Sequence, residues 1–134
     1  MTRRVTWRDC DMMGHVNNAV YFTYFEEART LWLEEALEGA LDGSFPMVLA
    51  EARCTFRSPA RFGERLRIGL RVGEVRSSAF TLEYRVEGED GRAVASGETV
   101  QVLVDRASGR ARRLPDGLRR LLEASRPAAH PAGS

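Results

Sequence analysis

Residues 9–18, Asp9-Cys10-Asp11-Met12-Met13-Gly14-His15-Val16-Asn17-Asn18, hold the side chains of this sequence best suited to chemistry. Two carboxylates, a thiol, an imidazole and two carboxamides fall within one turn-forming stretch, and an apolar-periodic run follows directly. Asparagine caps helix starts well because its side-chain oxygen accepts a bond from an orphan N–H of the first turn. Asn17 or Asn18 is therefore expected to open a helix. A helix start presents unpaired N–H groups and the positive end of the helix dipole. A carboxylate beside such donors can supply both halves of an acyl-transfer site: a nucleophile or base in Asp11, and donors for an oxyanion at the helix start.

Each of these residues also has a plainer reading. A lone Asp11 would be a turn residue bonding its own backbone, and Asp9 reads as structural in that way. His15 is the residue type of a general base, yet it belongs to the turn. An orienting or pocket-lining role suits it better, beside a purely structural one. Asn17 is placed to bond across the turn and support Asp11. Cys10 is flanked by acids, which disfavour its thiolate and argue against a cysteine nucleophile. Cys54 falls in the apolar phase of a strand pattern and reads as core. No serine sits in a Gly-x-Ser-x-Gly elbow, and no glycine-rich nucleotide fingerprint is present. His15 and His130 are the only histidines, so no metal is expected.

The elements that must position these residues follow from periodicity. Val5 and Trp7 alternate with polar neighbours and predict a strand over residues 3–8. Tyr21, Tyr24, Phe25, Ala28, Leu31, Trp32 and Ala36 recur at spacings of three and four, predicting a buried helix over residues 18–37 with Gly39 as its stop. Tyr21, Tyr24 and Phe25 are on this reading helix core. Residues 39–47 contain Gly39, Gly43 and Pro46 and read as a loop. From Val48 the period changes to two: Val48, Ala50, Ala52, Cys54 and Phe56 share a phase, predicting a long strand with one covered face. Ser58-Pro59 breaks it. Leu66 to Val72 and Phe80 to Val86 alternate in turn, separated by a turn at Arg76-Ser77-Ser78. Asp90-Gly91 is a two-residue hairpin signal. Residues 93–104 form a last strand in which Gly97 marks a bulge or a close approach. Pro115 starts a short helix over residues 116–124, amphipathic through Leu118, Leu121 and Leu122. Residues 126–134 read as a flexible tail. The order describes one domain over residues 1–125 of the α+β class, with an antiparallel sheet of about five strands against one long helix.

Composition narrows the function classes. The 134 residues are 43% hydrophobic and 29% charged, as expected for a globular domain. A formal net charge of +1 argues against nucleic acid as a partner. All 20 basic residues are arginine, a uniform bias better ascribed to coding composition than to phosphate binding. Two cysteines make neither a disulfide framework nor a zinc set. No apolar run reaches the roughly 18 residues that suggest a membrane span. The first residues lack the apolar core of a signal peptide, so a cytoplasmic location away from membranes is expected.

Asp9-Cys10-Asp11, then Gly14-His15-Val16-Asn17-Asn18, then Tyr21, then residues 26–29 resemble in type and spacing the active-site segment of one known family. These are the hotdog-fold acyl-thioester hydrolases, the 4-hydroxybenzoyl-CoA thioesterase-like family. The His-Val-Asn-Asn form is most similar to the family's long-chain acyl-CoA and acyl-carrier-protein thioesterases. The resemblance implies a hotdog fold, in which the sheet wraps around the long helix. It implies that Asp11 attacks a thioester carbonyl or activates water, and that the Asn18 N–H polarises that carbonyl. It further implies a homodimer or a dimer of dimers, with each site built at a subunit interface. Arg76-Ser77-Ser78 resembles the hairpin that binds the nucleotide phosphates of CoA in the hydroxybenzoyl enzymes. Arg76 matches a basic position there, while Ser77 and Ser78 replace further basic residues. Tyr21 and Asn17 join these as substrate-binding candidates. The expected substrate is an acyl-CoA or acyl-carrier-protein thioester, with CoA as part of the substrate and no other cofactor. Two alternatives stand beside hydrolysis: a non-catalytic hotdog module that binds acyl thioesters, and a dehydration run by a His15–Asp11 pair.

Overall fold

β1 (Thr2–Arg4), β2 (Met47–Phe56), β3 (Arg65–Val75), β4 (Ala79–Glu87) and β5 (Ala93–Leu103) form one antiparallel sheet in the order β1-β3-β4-β5-β2. The computed structural model describes residues 1–36 and 46–126. The expectations for a helix stop at Gly39, for most of the loop over residues 39–47 and for the tail after Arg126 lie outside the described residues. The long helix α1 (Val20–Ala36) packs against the sheet, and α2 (Asp116–Ala124) adds Leu118 and Leu122 to the same core. This is the expected hotdog arrangement.

The core forms where α1 lies on β3, β4 and β5. Leu66, Ile68, Val72, Phe80, Leu82 and Val86 are buried in one alternating phase of β3 and β4. From α1, Tyr21, Tyr24, Phe25, Ala28 and Leu33 are buried. Burying each large apolar side chain contributes roughly 1.5–3 kcal/mol. Phe25 stacks on Tyr84 with ring centroids 4.4 Å apart. The Tyr84 hydroxyl accepts from Arg29 (3.1 Å) and shares a 2.7 Å hydrogen bond with the Thr99 hydroxyl, so this buried polar group is satisfied.

Three expectations need correction. The first strand ends at Arg4, and Trp7–Asp9 is a 3-10 turn. The Thr6 N–H donates to the Asp9 carboxylate at 2.8 Å, which curls the chain. Val5 is then buried while Trp7 is 74% exposed, edge-on to Phe62. Next, the covered face of β2 is covered only in part: it is an outer strand on which only Met47 and Cys54 are half-buried, and α1 reaches it through Tyr21 on Phe56. A bulge between Leu49 and Glu51 also changes its phase. Leu49 stands opposite Gln101 and Ala52 opposite Thr99, so Leu49 shares a face with Cys54 and Phe56 while Val48 falls on the other. Finally, Leu33 replaces Leu31 in the buried face of α1, and Leu31 stays 42% exposed.

Gly97 is a close approach rather than a bulge. Its register partners, Cys54 and Tyr84, run on without a break. A Cβ there would stand 2.6 Å from the Arg53 carbonyl and drive into the Phe25 ring. Gly97→Ala is therefore expected to lower stability by about 1–3 kcal/mol through overpacking. Urea unfolding at neutral pH checks this, and an unchanged midpoint would mean that α1 can lift off the sheet freely.

Candidate active site

The stretch between the 3-10 turn and α1 folds back on itself around Asp11. Its N–H donates to the His15 carbonyl (2.8 Å), and its own carbonyl accepts from the Gly14 N–H (3.0 Å). Gly14 has φ +76°, a left-handed conformation that glycine adopts at no steric cost. One carboxylate oxygen of Asp11, Oδ1, accepts from the Met13 N–H (2.9 Å) and more loosely from the His15 N–H (3.4 Å). The other, Oδ2, accepts no hydrogen bond among the described residues. The turn thus engages one of the two carboxylate oxygens of this exposed side chain and leaves the other without a donor among the described residues.

Asn17, not Asn18, caps the helix. Its Oδ1 accepts from the Ala19 N–H (2.9 Å), its carbonyl accepts from the Val20 N–H (2.9 Å), and its N–H donates to the Asp9 carbonyl (2.8 Å). The Asn17 side chain therefore serves the helix start and does not reach Asp11. The Asn18 N–H donates to no acceptor among the described residues, which leaves it available beside the positive end of α1.

Asp11, His15, Asn18 and Tyr21 share a cleft of about 260 Å³. Apart from Val16, the rest of its lining is Phe56, Arg57, Ser58 and Pro59, from the end of β2 and the break after it. These residues are some 40 positions downstream and carried no local motif; the Ser58-Pro59 strand break was their one sequence signal. The Val16 N–H donates to the Ala60 carbonyl at 2.8 Å and joins the two sides. Tyr21 is 3% exposed and packs on Phe56 at 5.6 Å. Its hydroxyl is pushed up to about 12, chiefly by burial.

The Arg76-Ser77-Ser78 hairpin is not in this cleft. It joins β3 to β4 at the end of the sheet where Ala79 pairs with Val102, whereas Phe56 pairs with Ala95 at the other end. The Arg76 guanidinium pairs with Glu74 at 3.0 Å, and Arg119 of α2 donates to the carbonyls of Arg76 and Ser77 at 2.7 and 3.1 Å. A larger groove of about 600 Å³ crosses the outer sheet face among Arg53, Arg71, Glu83 and Glu98. Arg71 pairs with Glu83 at 2.9 Å and Arg53 with Glu98 at 3.1 Å, and the groove shares no residue with the Asp11 cleft. Its size therefore does not make it the better candidate.

Neither cysteine is set up as a nucleophile. Burial and then the charges of Asp9 and Asp11 push the Cys10 thiol up, and burial pushes Cys54 up to about 11. Among the described residues, no group of three His, Cys, Asp or Glu side chains could hold a metal ion.

Asp9 anchors the whole stretch. It is 7% exposed, and its Oδ2 accepts from the Thr6 N–H (2.8 Å) and the Tyr24 hydroxyl (2.9 Å). Arg3 stands 3.8 Å from Oδ1, lies over the Tyr24 ring and pairs with Glu27 at 2.9 Å. Burial pushes the Asp9 carboxyl up, but the Thr6 and Tyr24 donors and the Arg3 charge outweigh it, so its value is lowered. Burial first, and then the bond to Asp9, push the Tyr24 hydroxyl up.

Comparison with known proteins gives a consistent set of matches. Residues 5–122 match the sequence model of the thioesterase-like superfamily. The uncharacterised protein YsmA of Bacillus subtilis strain 168 is 33% identical over 107 residues, covering 80% of this chain and 73% of that protein. The crystal structure of the hypothetical protein TT1821 from Thermus thermophilus superposes with a TM-score of 0.84 at 34% identity, over 93% of this chain and 97% of that one. A thioesterase from the same organism, crystallised with coenzyme A and zinc, superposes with a TM-score of 0.81 at 29% identity, over 92% and 91% of the two chains.

The Asp9 anchor gives two expectations. Tyr24→Phe removes a buried bond to a charged group and should lower stability by about 1–3 kcal/mol. Because the folded-state value of Asp9 is lowered, its contribution is complete above the ordinary value of 3.8 and is lost as the pH falls through the lower folded value. Urea unfolding of wild type and Asp9→Asn from neutral to strongly acidic pH should show a stability gap that closes in acid. A gap independent of pH would mean that ionised Asp9 is not what holds the turn.

Proposed function

The chain belongs to the thioesterase-like superfamily and is a thioester hydrolase, and from that premise we propose that the Asp11 cleft hydrolyses an acyl-coenzyme A to the free acid and coenzyme A. One observation carries this reading. Asp11, with one carboxylate oxygen that accepts no bond among the described residues, and Asn18, whose N–H donates to none of them, line the same cleft between the start of α1 and the end of β2. The thioester carbonyl carbon would sit at Asp11 and its oxygen at the Asn18 N–H. Asp11 either attacks the carbonyl or takes the proton from an attacking water. The N–H and the α1 dipole stabilise the oxyanion that forms in the transition state, where such donors count most. Thiolate is a good leaving group, so no strong general acid is required, and water with these groups suffices without a redox cofactor. His15 lines the cleft and orients the bound group, and Tyr21 closes its apolar side. The solved thioesterase with coenzyme A bound supports CoA as the carrier, with acyl-carrier protein as the alternative.

The same reading includes a homodimer. Among the described residues the outer edge of β2 is unpaired over 10 residues, and Val48, Leu49 and Phe56 are 49%, 50% and 44% exposed. Such an edge invites pairing. A second copy paired antiparallel along β2 would set its Met47 end beside this copy's residues 56–59. The partner's hairpin equivalent to Arg76-Ser77-Ser78 lies at that end, because the Leu103 N–H, opposite Met47, donates to the Ser78 carbonyl at 2.9 Å. The hairpin, remote from its own cleft, would then serve the partner's, and its arginine and serines could meet the CoA phosphates there.

Thiol release from a panel of acyl-CoAs tests the chemistry. Asp11→Asn should lower kcat by about 10²–10⁴-fold in a folded protein. Equal turnover would remove Asp11 from the mechanism, and wild-type binding without turnover on CoA and acyl-carrier-protein esters alike would favour a binding module. The panel includes an enoyl-CoA because His15 shares the cleft. Hydration without thiol release would assign the chemistry to a His15–Asp11 pair. Sedimentation equilibrium should return a dimer or a dimer of dimers, and a monomer at micromolar concentration would refute the shared site.

A further inference from the structure

We propose that Arg92 is the positioning residue for the cleft wall at Arg57, Ser58 and Pro59, and so sets how tightly the acyl thioester is held. The proposal rests on the Asp11 cleft being the thioester site. Arg92 lines no part of that cleft. It lies on the turn between β4 and β5 and reaches the wall from behind.

Four hydrogen bonds and a close ion pair engage all three nitrogens of its guanidinium. Nε donates to the Ser58 hydroxyl at 3.2 Å. Nη2 donates to the Pro59 carbonyl (2.8 Å) and to Glu64 Oε1 (3.0 Å). Nη1 meets Glu64 Oε2 at 2.9 Å and Asp90 Oδ1 at 3.1 Å. All three guanidinium nitrogens are thus used, with four of the five donors in hydrogen bonds. Ser58 passes the constraint on: its hydroxyl donates to the Ala93 carbonyl at 2.7 Å. The Arg57 and Ser58 N–H groups both donate to the Val94 carbonyl, at 2.9 and 3.2 Å. The site is shaped for this fork. A Cβ on Gly88 would stand 2.7 Å from both Arg92 Nη1 and Glu64 Oε2.

Residues 57–59 follow a strand end and a proline break, and they have no sheet partner on their outer side. Without Arg92, the carbonyl of Pro59 and the hydroxyl of Ser58 lose their shared donor, and Glu64, whose side chain is 16% exposed, loses its cation. The other side of the cleft has its own support besides the Val16–Ala60 bond that ties the two. Asp11 and the start of α1 are held by Asp9, Tyr24 and Asn17. Loss of Arg92 should therefore loosen binding while leaving the reacting groups in place. Lysine cannot substitute, because three donors from one point do not span Ser58, Pro59, Glu64 and Asp90 together.

The test compares wild type, Arg92→Lys, Arg92→Met and the milder Glu64→Gln by amide hydrogen exchange and by steady-state thioester hydrolysis. Exchange at the Arg57 and Ser58 amides should speed at least about tenfold in both arginine variants. KM should rise about tenfold while kcat stays within about threefold, the signature of lost binding rather than lost chemistry. Glu64→Gln should move both readouts the same way by less, and it decides the matter if the arginine variants do not fold. Arg92→Lys behaving as wild type, an unchanged KM, or a fall in kcat at constant KM would each overturn the proposal. If wild type hydrolyses no thioester, the reading of the cleft fails by itself. Unchanged exchange at residues 57 and 58 would still refute the clamp, and accelerated exchange would still support it.

Discussion

The buried carboxylate of Asp9 is the constraint on which the rest of this structure depends. It accepts from the Thr6 N–H in the turn after β1 and from the Tyr24 hydroxyl one turn into α1. Its own carbonyl holds the Asn17 N–H at the base of the loop between them. An ionised carboxylate away from water is costly unless donors surround it. Here the donors come from separate segments, so satisfying the charge fixes where the segments meet. The loop bearing Asp11 is closed at its base by this arrangement, and the first N–H groups of α1 are aimed by it.

The cleft has two sides with different support. The loop side is held by local turns and by Asp9, all within the first part of the chain. The strand side, at the end of β2, belongs to an outer strand with little buried surface of its own. It is stiffened by hydrogen bonds to Val94, Ala93 and the Arg92 fork. The bond from Val16 to the Ala60 carbonyl ties the two sides.

The two carboxylate oxygens of Asp11, one engaged by the turn and one not, have a parallel in Asn17 and Asn18. Two adjacent asparagines at a helix start are interchangeable candidates for the cap. Only one side chain can reach the Ala19 N–H, and that of Asn17 does. Asn18 lines the cleft, and its main-chain N–H donates to no acceptor among the described residues. The role the resemblance assigned to Asn18 is a backbone role, and it is compatible with the structure because the capping work is done by its neighbour.

What the amino-acid sequence determined by itself was local and periodic. The turn with Gly14, the aromatic face of α1, the alternation in β3, β4 and β5 and the Asp90-Gly91 hairpin all rest on residue type and spacing within a few positions. So does the motif that marks Asp11. The sequence went wrong where long-range pairing overrides local pattern: the curl at Trp7 imposed by Asp9, the phase change at the β2 bulge, and the only partial cover of a strand whose alternation suggested a covered face. The second wall of the cleft, the fork of Arg92 and the distance of the Arg76 hairpin from its own Asp11 were decided only by the tertiary structure. Each depends on which strands become neighbours. Strand order is set by where α1 can bury its aromatic face across the whole sheet, and no short window of sequence contains that.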